Sequence, residues 1–337
     1  MFKQIMQFKK IILFFIILEI LFASLIQIIQ DKEFNLQIEK YNKHAEADYK
    51  QLYTSLNIHA DTIFNEMINQ EDVLTLFKEA SNPDKLLQDK ARKALYQLLL
   101  KHYQRLSHDT NLKQLHFHTK DNRSFLRMHK PDSYGDDLTL IRKSVNYVNQ
   151  YKEPTQGFEV GRVHSGFRFV YPLFYENVYL GSVEASFAAC SLHDNLKTNQ
   201  YDVCVIVKKD EVFAKSQKDE LDTYMSIRLS DIYLREQDIV SSQYMNDATI
   251  DSIKDEFAQK QASNKSFSIY THENGGVLVS FVPIQNVNSN DYVAYVVFVR
   301  QEENMLMVSY IFLVMQTLLL IFLTSSLILS LNWTCFK

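Results

Sequence analysis

The sequence predicts an α+β protein in which a long N-terminal helix and two tandem antiparallel-sheet modules lie between two transmembrane helices. Three observations lead to this prediction. The 337-residue chain has an apolar segment near each end, a long stretch of helical periodicity follows the first segment, and two blocks of alternating strands fill the rest. A chain of this length accommodates two modules together with membrane segments.

The two apolar segments are residues 11–29 and 308–331, and each is long enough to span about 30 Å of hydrocarbon as a helix. Lys3, Lys9 and Lys10 precede the first segment, so we expect the N-terminus in the cytoplasm. A signal peptide would begin in the same way, but no small-x-small cleavage site follows. We therefore predict an uncleaved anchor, with residues from about 32 to 305 outside the cytoplasm.

Helical periodicity continues after the first apolar segment. Apolar residues recur there in steps of three and four, at Phe34, Ile38, Tyr41, Ala45, Tyr49, Leu52, Leu56, Ile63 and Met67. Such a stripe favours either a long helix packed on its own domain or the seam of a parallel homodimer. The run Ser81-Asn82-Pro83 then breaks the helical pattern, and Asp84 is placed to begin a second amphipathic helix that reaches about Ser107.

The first block of strands covers residues 112–187. It predicts strands at 115–118 and 124–128, a helix over 137–149, a strand near 158–160, and a hairpin of 167–174 and 179–187 turned by Glu176 and Asn177. The second block repeats this plan with a strand at 201–207, a hairpin partner at 211–214, a helical or irregular stretch over 219–261, and strands at 266–270, 276–283 and 291–299.

A set of short motifs stands in the first block. They are His116 or His118; Ser124 to Arg127 with His129; Gly135-Asp136-Asp137-Leu138; Arg142; Gly157-Phe158-Glu159 with Gly161; Phe167-Arg168-Phe169-Val170 with Pro172; and Gly181-Ser182-Val183-Glu184. With the strand-strand-helix-hairpin layout, they resemble the double Cache extracytoplasmic sensor domains of bacterial receptors, whose two modules are PAS-like. The resemblance covers roughly residues 33–300 and is specific in the first block and vague in the second.

The resemblance implies a transmembrane sensor of the kind fused to diguanylate cyclases, histidine kinases or chemoreceptors. Only residues 332–337 follow the second apolar segment, so we expect no output domain in this chain. Three alternatives stay open: a sensor that passes a shift from its second sheet into the second transmembrane helix, a binding protein that acts on a separate signalling partner, and a truncated remnant of a longer receptor.

The first block is rich in arginine, whose forked guanidinium binds carboxylates through two hydrogen bonds. We therefore predict that it binds a small anionic metabolite, a carboxylate above all. The candidate ligand-binding residues are Arg127, Arg142, Arg168, His129, Asp136, Glu159 and Tyr171. The alternative is that these charges form internal ion pairs that hold the helix on the sheet.

A metal site is the second interpretation of the same block. His116 and His118 alternate along a strand and point to one face, and two such histidines begin a zinc site if His129 or Glu159 is a third ligand. No HExxH or paired CxxC motif supports this, so we predict hydrogen-bonded structural histidines, no metal and no cofactor. No catalytic motif is present either, and we predict that the chain is not an enzyme.

The predicted segments are a cytoplasmic N-terminus (1–10), a transmembrane helix (11–30), a helical stalk (31–107), a membrane-distal module (108–197), a membrane-proximal module (198–303), a second transmembrane helix (307–331) and a cytoplasmic tail (332–337). We expect two spans in a bacterial inner membrane with the sensor in the periplasm. Expected partners are a small-molecule ligand, the lipid bilayer, a second copy of the chain and a separate kinase, cyclase or chemoreceptor. A net charge of −4 gives no basic footprint for nucleic acid.

Overall fold

A computed structural model describes residues 2–161, 164–189, 201–214, 223–237 and 242–335, so Arg162 and Cys190 lie outside the described residues. The helices in this part of the chain are α1 (Phe2–Ile63), α2 (Glu71–Lys78), α3 (Lys85–Asp109), α4 (Lys143–Tyr151), α5 (Lys209–Phe213), α6 (Asp247–Lys260) and α7 (Glu303–Cys335). The strands are β1 (Leu112–Thr119), β2 (Ser124–Arg127), β3 (Thr155–Glu159), β4 (Gly166–Tyr175), β5 (Val178–Ala188), β6 (Asp202–Lys208), β7 (Tyr224–Ile227), β8 (Ser230–Glu236), β9 (Phe267–Thr271), β10 (Val277–Gln285) and β11 (Tyr292–Gln301).

The strands form two antiparallel sheets, and the predicted fold class is confirmed. The distal module contains a five-stranded sheet in the order β2-β1-β5-β4-β3, and the proximal module a six-stranded sheet in the order β7-β8-β6-β11-β10-β9. The hairpin of β4 and β5 turns at Glu176 and Asn177, whose φ angles of 48° and 65° are those of a tight two-residue turn. Each sheet carries a helix on one face, as PAS-like modules do.

Helix α1 contacts both modules, and the positions of these contacts give the order of the modules along the helix axis. The ring of Phe34 lies 5.3 Å from that of Tyr270 in the proximal sheet. Thirty residues further on, Phe64 stacks on Tyr171 of the distal sheet at 4.4 Å. Because a helix rises about 1.5 Å per residue, the proximal sheet lies much nearer to the apolar end of α1 than the distal sheet does.

The apolar stripe of α1 packs on the chain's own sheets. Ala45, Leu52, Leu56 and Ile63 are buried and belong to the same core as the distal strands. Of the two interpretations of the stripe, the structure therefore supports the helix packed on its own domain. These side chains are not free to form a homodimer seam.

Both apolar segments lie in helices that are long and apolar enough to cross a membrane, in α1 and α7. Their apolar stretches are almost wholly exposed, unlike the core helix of a soluble protein. The two helices pack against each other, and strand β11 is separated from α7 by Glu302 alone. The two candidate spans thus flank the sensor modules.

Three predicted elements differ from the structure. Helix α4 begins at Lys143 rather than at Asp137, because the preceding segment is bonded to the β1–β2 turn through the Leu138 amide and the Asn122 carbonyl. Residues 209–213 form a helix and not a strand, and β8 pairs with β6 instead. Strands β7 and β8 lie in a stretch predicted to be helical or irregular. Strand β7 is the edge of the sheet, β8 is next to it, and both strands bury only some of their residues, so their alternation is weak.

Candidate functional site

One face of the distal sheet is polar, although it is covered and largely buried. Alternate residues of a strand point to the same face, and on four neighbouring strands several of those residues have polar side chains. They are His116 and His118 on β1, Glu159 on β3, Arg168 on β4, and Ser182, Glu184 and Ser186 on β5. All seven are buried, and we call them the polar face.

Arg168 is held between two carboxylates of the polar face. Its Nε lies 3.3 Å from an oxygen of Glu159, and its Nη1 donates to Glu184. Burial alone would lower the pKa of Arg168, but the charges of Glu184 and Glu159 raise it above its usual value. Burial likewise raises the pKa of Glu184, but Arg168 and Arg142 outweigh it and lower that pKa to about 2. Both groups are therefore charged at neutral pH.

Glu159 also binds the N-terminus of α4. One carboxylate oxygen accepts a hydrogen bond of 2.7 Å from the Lys143 amide, and the other accepts one of 2.8 Å from the Ser144 hydroxyl. A carboxylate at a helix N-terminus satisfies amides that have no intrahelical partner and opposes the helix dipole. Glu159 thus joins β3, Arg168 and α4 into one unit.

Arg127 forms a separate, closed pair. Its two terminal nitrogens donate to the two oxygens of Asp136 at 2.8 Å each, and it also donates to the Ser133 carbonyl at 2.7 Å. This bidentate geometry is the one that a ligand carboxylate would otherwise use. For Arg127 and Asp136 the structure therefore agrees with the internal ion pairs that the sequence left as an alternative.

Arg142 differs from the other two arginines. Its Nη1 is buried and has no hydrogen-bond partner among the described residues. This nitrogen and the Arg168 Nη2 both border Gly161, since they are 3.1 and 3.0 Å from where a Cβ would stand at that glycine. Burial and the Arg168 charge lower the pKa of Arg142 to about 10, so it stays protonated at neutral pH. A buried, charged and unbonded guanidinium nitrogen is costly, and an anion would satisfy it.

The histidines complete the site. His116 Nε2 is 2.8 Å from the Ser124 hydroxyl, and His118 Nδ1 is 3.2 Å from the Ser182 hydroxyl. Burial lowers the pKa of His118 to about 3 and that of His129 to about 4, with Arg127 adding to both effects. The His118 Nε2 and the His129 Nδ1 are buried without partners in the described part of the chain.

Tyr171 is not brought to the polar face. It lies an odd number of residues from Arg168 on β4, so its side chain points to the opposite face of the sheet. There its hydroxyl donates to Asp61 at 2.8 Å, and its ring stacks on Phe64. Of the predicted ligand-binding residues, the structure brings together Arg142, Arg168 and Glu159. Arg127, which is paired with Asp136, is near enough for its charge to act on Arg142 and on His129.

The sequence interpretation named Glu184 among the acidic residues that could hold the arginines in place, but it missed the roles of the serines. Glu184 pairs with His116 in the β1–β5 register, and Ser182 pairs with His118. The signal for these roles was the alternation of β5, in which Ser182, Glu184 and Ser186 fall on one face. The cap that Glu159 provides could not be found from local spacing, because Lys143 is 16 residues away.

A groove of about 1020 Å³ separates the two modules and is distinct from the polar face. At its edge the Val287 amide donates to the Phe158 carbonyl at 2.7 Å, and the Thr155 hydroxyl donates to Asn288 at 2.6 Å. Phe158 precedes Glu159, so the strand that carries a residue of the polar face is bonded directly to the β10–β11 turn of the proximal module.

A family model described as the double sensory domain of two-component sensor kinases (dCache_3) matches residues 46–301, which is more than half of the chain. The chain therefore belongs to the double Cache sensor family, which is a sensory and not a catalytic family. Its recognition from the motifs of the distal module is confirmed.

Several solved structures are similar to the chain. A domain of a sensory box/GGDEF family protein from Vibrio parahaemolyticus is 14% identical, with 81% of this chain and 98% of that chain covered and a TM-score of 0.45. The ligand-binding domain of the Pseudomonas fluorescens chemoreceptor CtaA in complex with L-isoleucine is 13% identical, with coverages of 82% and 98% and a TM-score of 0.42. The V. cholerae histidine kinase DctB sensor domain is 8% identical, with coverages of 79% and 99% and a TM-score of 0.40. A comparison with curated proteins gives no match.

Proposed function

We propose that the distal module senses a small anionic metabolite, a carboxylate above all, and that Arg142 is its principal anchor. The observation that carries this proposal is the buried Nη1 of Arg142, which has no hydrogen-bond partner among the described residues. The other two arginines of the predicted site already hold carboxylates of the protein, at Asp136 for Arg127 and at Glu159 and Glu184 for Arg168. A ligand carboxylate therefore binds at a guanidinium nitrogen to which the described residues supply no hydrogen bond.

The charge of the site is compatible with this role. Arg168 and its two glutamates together carry one net negative charge, and Arg142 cancels it. An entering anion thus meets a neutral surrounding in which the nearest unbonded group is a cation. The Nδ1 of His129, buried without a partner in the described part of the chain, supplies a further hydrogen-bonding position for a ligand oxygen.

We further propose that ligand binding shifts the proximal sheet and, through it, α7. Binding beside Glu159 acts on β3, whose Phe158 carbonyl is bonded to the β10–β11 turn. Near the end of strand β11, Arg300 pairs with Glu302 and lies over the ring of Tyr41 of α1 at 4.7 Å. Helix shifts in such switches are about 1–2 Å, and the ligand causes one only if it binds the two states with different affinities.

In this proposal the chain crosses a bacterial inner membrane twice, holds its modules in the periplasm, and works as a homodimer with a kinase, cyclase or chemoreceptor output. The apolar stripe of α1 is buried against the chain's own sheets, so the dimer contact involves other surfaces, among them the apolar helices. Glu19, a carboxylate in the first of these helices, is a candidate contact. Cross-linking of the chain in native membranes tests the homodimer, and a purely monomeric result would remove it.

A thermal-shift screen of the full chain in nanodiscs tests the ligand site. The probes are mono-, di- and tricarboxylates, each beside its uncharged amide. A carboxylate at about a hundredfold excess over its Kd stabilises the folded state by ~2.7 kcal/mol and raises the melting temperature, whereas its amide does not. Arg142→Met keeps the aliphatic stem but removes the charge, and we expect it to abolish the shift.

The matched control is Arg123→Met. Arg123 is an exposed arginine that bonds to the Gly135 carbonyl and pairs with Asp121, outside the polar face. We expect this variant to retain the full ligand shift. A carboxylate shift that survives in Arg142→Met, or an equal shift with the uncharged amides, would show that Arg142 is structural and that the carboxylate assignment is wrong.

A further inference from the structure

The polar face brings together three groups with the chemistry of a metal site. The ligand atoms of His116, His118 and Glu184 all lie within 4.8 Å of one another, and all three side chains are buried. We propose that these residues form a site for a divalent transition metal of the zinc type. The anion site at Arg142 and this cation site are separate assignments, and neither requires the other.

The sheet itself positions the three ligands. His116 and His118 point to the same face of β1, and Glu184 is the residue of β5 directly opposite His116. The ring centroids of His116 and His118 are 4.1 Å apart. In a tetrahedral zinc site with bonds of about 2.0–2.2 Å the ligand atoms are roughly 3.4 Å apart, so side-chain movements of about 1 Å bring the ligand atoms to the spacing that zinc requires. Two histidines and a glutamate with an open fourth position are a known zinc ligand set.

Each of two of these side chains has a buried polar atom without a hydrogen-bond partner in the described part of the chain. The two atoms are the Nε2 of His118 and the Oε2 of Glu184. Glu184 uses only its other oxygen for Arg168, so the ion pair persists when a metal binds. Buried polar atoms without partners are uncommon and costly, and a metal ion would satisfy both atoms at once.

Ser124 of β2 and Ser182 of the polar face act as outer partners of the histidines. Ser124 bonds to Nε2 of His116, and Ser182 bonds to Nδ1 of His118. When each serine oxygen accepts a hydrogen bond from a ring N–H, the other ring nitrogen carries no proton, and its lone pair is free to bind a metal. The sequence interpretation had His129 or Glu159 as the third ligand, but Glu159 is engaged by α4 and Arg168.

The experiment is a titration of the full chain in detergent, purified through an affinity tag that contains no histidine and stripped of metal with a chelator. Co²⁺ is the probe, because its visible absorption reports tetrahedral nitrogen and oxygen ligands, and Zn²⁺ is then added to displace it. We expect one Co²⁺ per chain. His118→Gln and Glu184→Gln should each lose the absorption band.

Further variants make the result specific. Ser182→Ala removes an outer partner only, and we expect it to weaken the affinity about tenfold. His108→Gln changes an exposed histidine far from the site and should have no effect. His129→Gln tests the alternative ligand, and a lost band in this variant would overturn the ligand set proposed here. Melting curves of the metal-free variants confirm that each is folded.

The absence of stoichiometric Co²⁺ binding in the wild-type chain would overturn the proposal, as would an unchanged band in both His118→Gln and Glu184→Gln. Because the titration contains no carboxylate ligand, its failure leaves the anion site at Arg142 untouched. Conversely, a carboxylate shift lost in Arg142→Met does not bear on metal binding.

Discussion

The distal and proximal sheets have the same strand pairing at their centre but opposite chemistry on one face. Pro172 of β4 and Pro283 of β10 serve as a common reference point, and each precedes the hairpin turn. When the two prolines are aligned, the strand pairings of the two sheets show which residue of the proximal sheet occupies the same position as a given residue of the distal sheet. The pairs are Arg168 with Val279, Glu184 with Val297, His116 with Cys204, and His118 with Ile206.

In the proximal module this face is an ordinary apolar core. Val279, Phe281 and Val297 pack under α6, whose Phe257 ring lies 4.8 Å from that of Phe281. The proximal sheet therefore shows that the architecture needs no charge at these positions. Buried ion pairs are on balance no more stabilising than well-packed apolar groups. The polar residues of the distal face are thus better explained by binding than by stability.

The largest expected effect comes from giving the distal face the residues of the proximal one. Arg168→Val leaves Glu159 and Glu184 buried without their cation and should lower the free energy of unfolding by about 3–5 kcal/mol. Arg168→Val with Glu184→Val reproduces the proximal pair and should recover at least half of that loss, since Glu159 keeps its bonds to α4. Urea unfolding of the full chain in detergent measures both.

A double variant that is less stable than Arg168→Val would contradict this interpretation. It would mean that the polar face is required for the distal fold, and the comparison with the proximal sheet would then not extend to energetics.

The fold was predictable from sequence wherever periodicity was strong. The distal hairpin, its Glu176-Asn177 turn and the three strands β9, β10 and β11 follow from alternation and turn residues alone. The edge strand β7 and its neighbour β8 were missed, because they bury only some of their side chains and their alternation is weak. The predicted start of α4 was wrong, because the residues before the helix form hydrogen bonds to a turn that is distant in sequence.

The site was predictable in composition but not in pairing. Sequence identified Arg127, Arg142 and Arg168 as equal candidates, and only the structure separates the unbonded Arg142 from the two that are already paired. Tyr171 is separated from the other candidates for a simpler reason. It lies three residues from Arg168 on β4, so its side chain is on the opposite face of the sheet. Strand alternation, applied to every candidate, would have excluded it.

A smaller effect is expected from acid, and it should arise in the distal module. Burial and the Arg127 charge lower the pKa of His129 to about 4, below its unfolded value of about 6.5. As the pH falls below 6.5 the unfolded state takes up a proton that the folded state does not, so stability is lost between pH 6.5 and 4. His129→Gln should remove about 1 kcal/mol of the loss between pH 7 and pH 5, after allowance for its partial exposure.

Urea unfolding at the two pH values measures this difference, with His108→Gln as the control. The His108 side chain is 90% exposed, so this variant controls for the loss of a histidine that is not buried. An identical loss of stability in the wild type and in His129→Gln would show that other groups account for the acid sensitivity.

The smallest expected effect is in the proximal module, at the position equivalent to His116. Cys204 lines an apolar cavity of about 200 Å³ together with Ile206, Met225 and Val297. Cys204→Val fills part of this space in a β-strand and should raise the free energy of unfolding by about 0.5–1 kcal/mol. Cys204→Ala enlarges the cavity and should lower it by a similar amount. Thermal unfolding distinguishes the two directions. If both variants are destabilised equally, no space is available to a larger side chain, and the proximal face is then a closed core with no counterpart of the distal site.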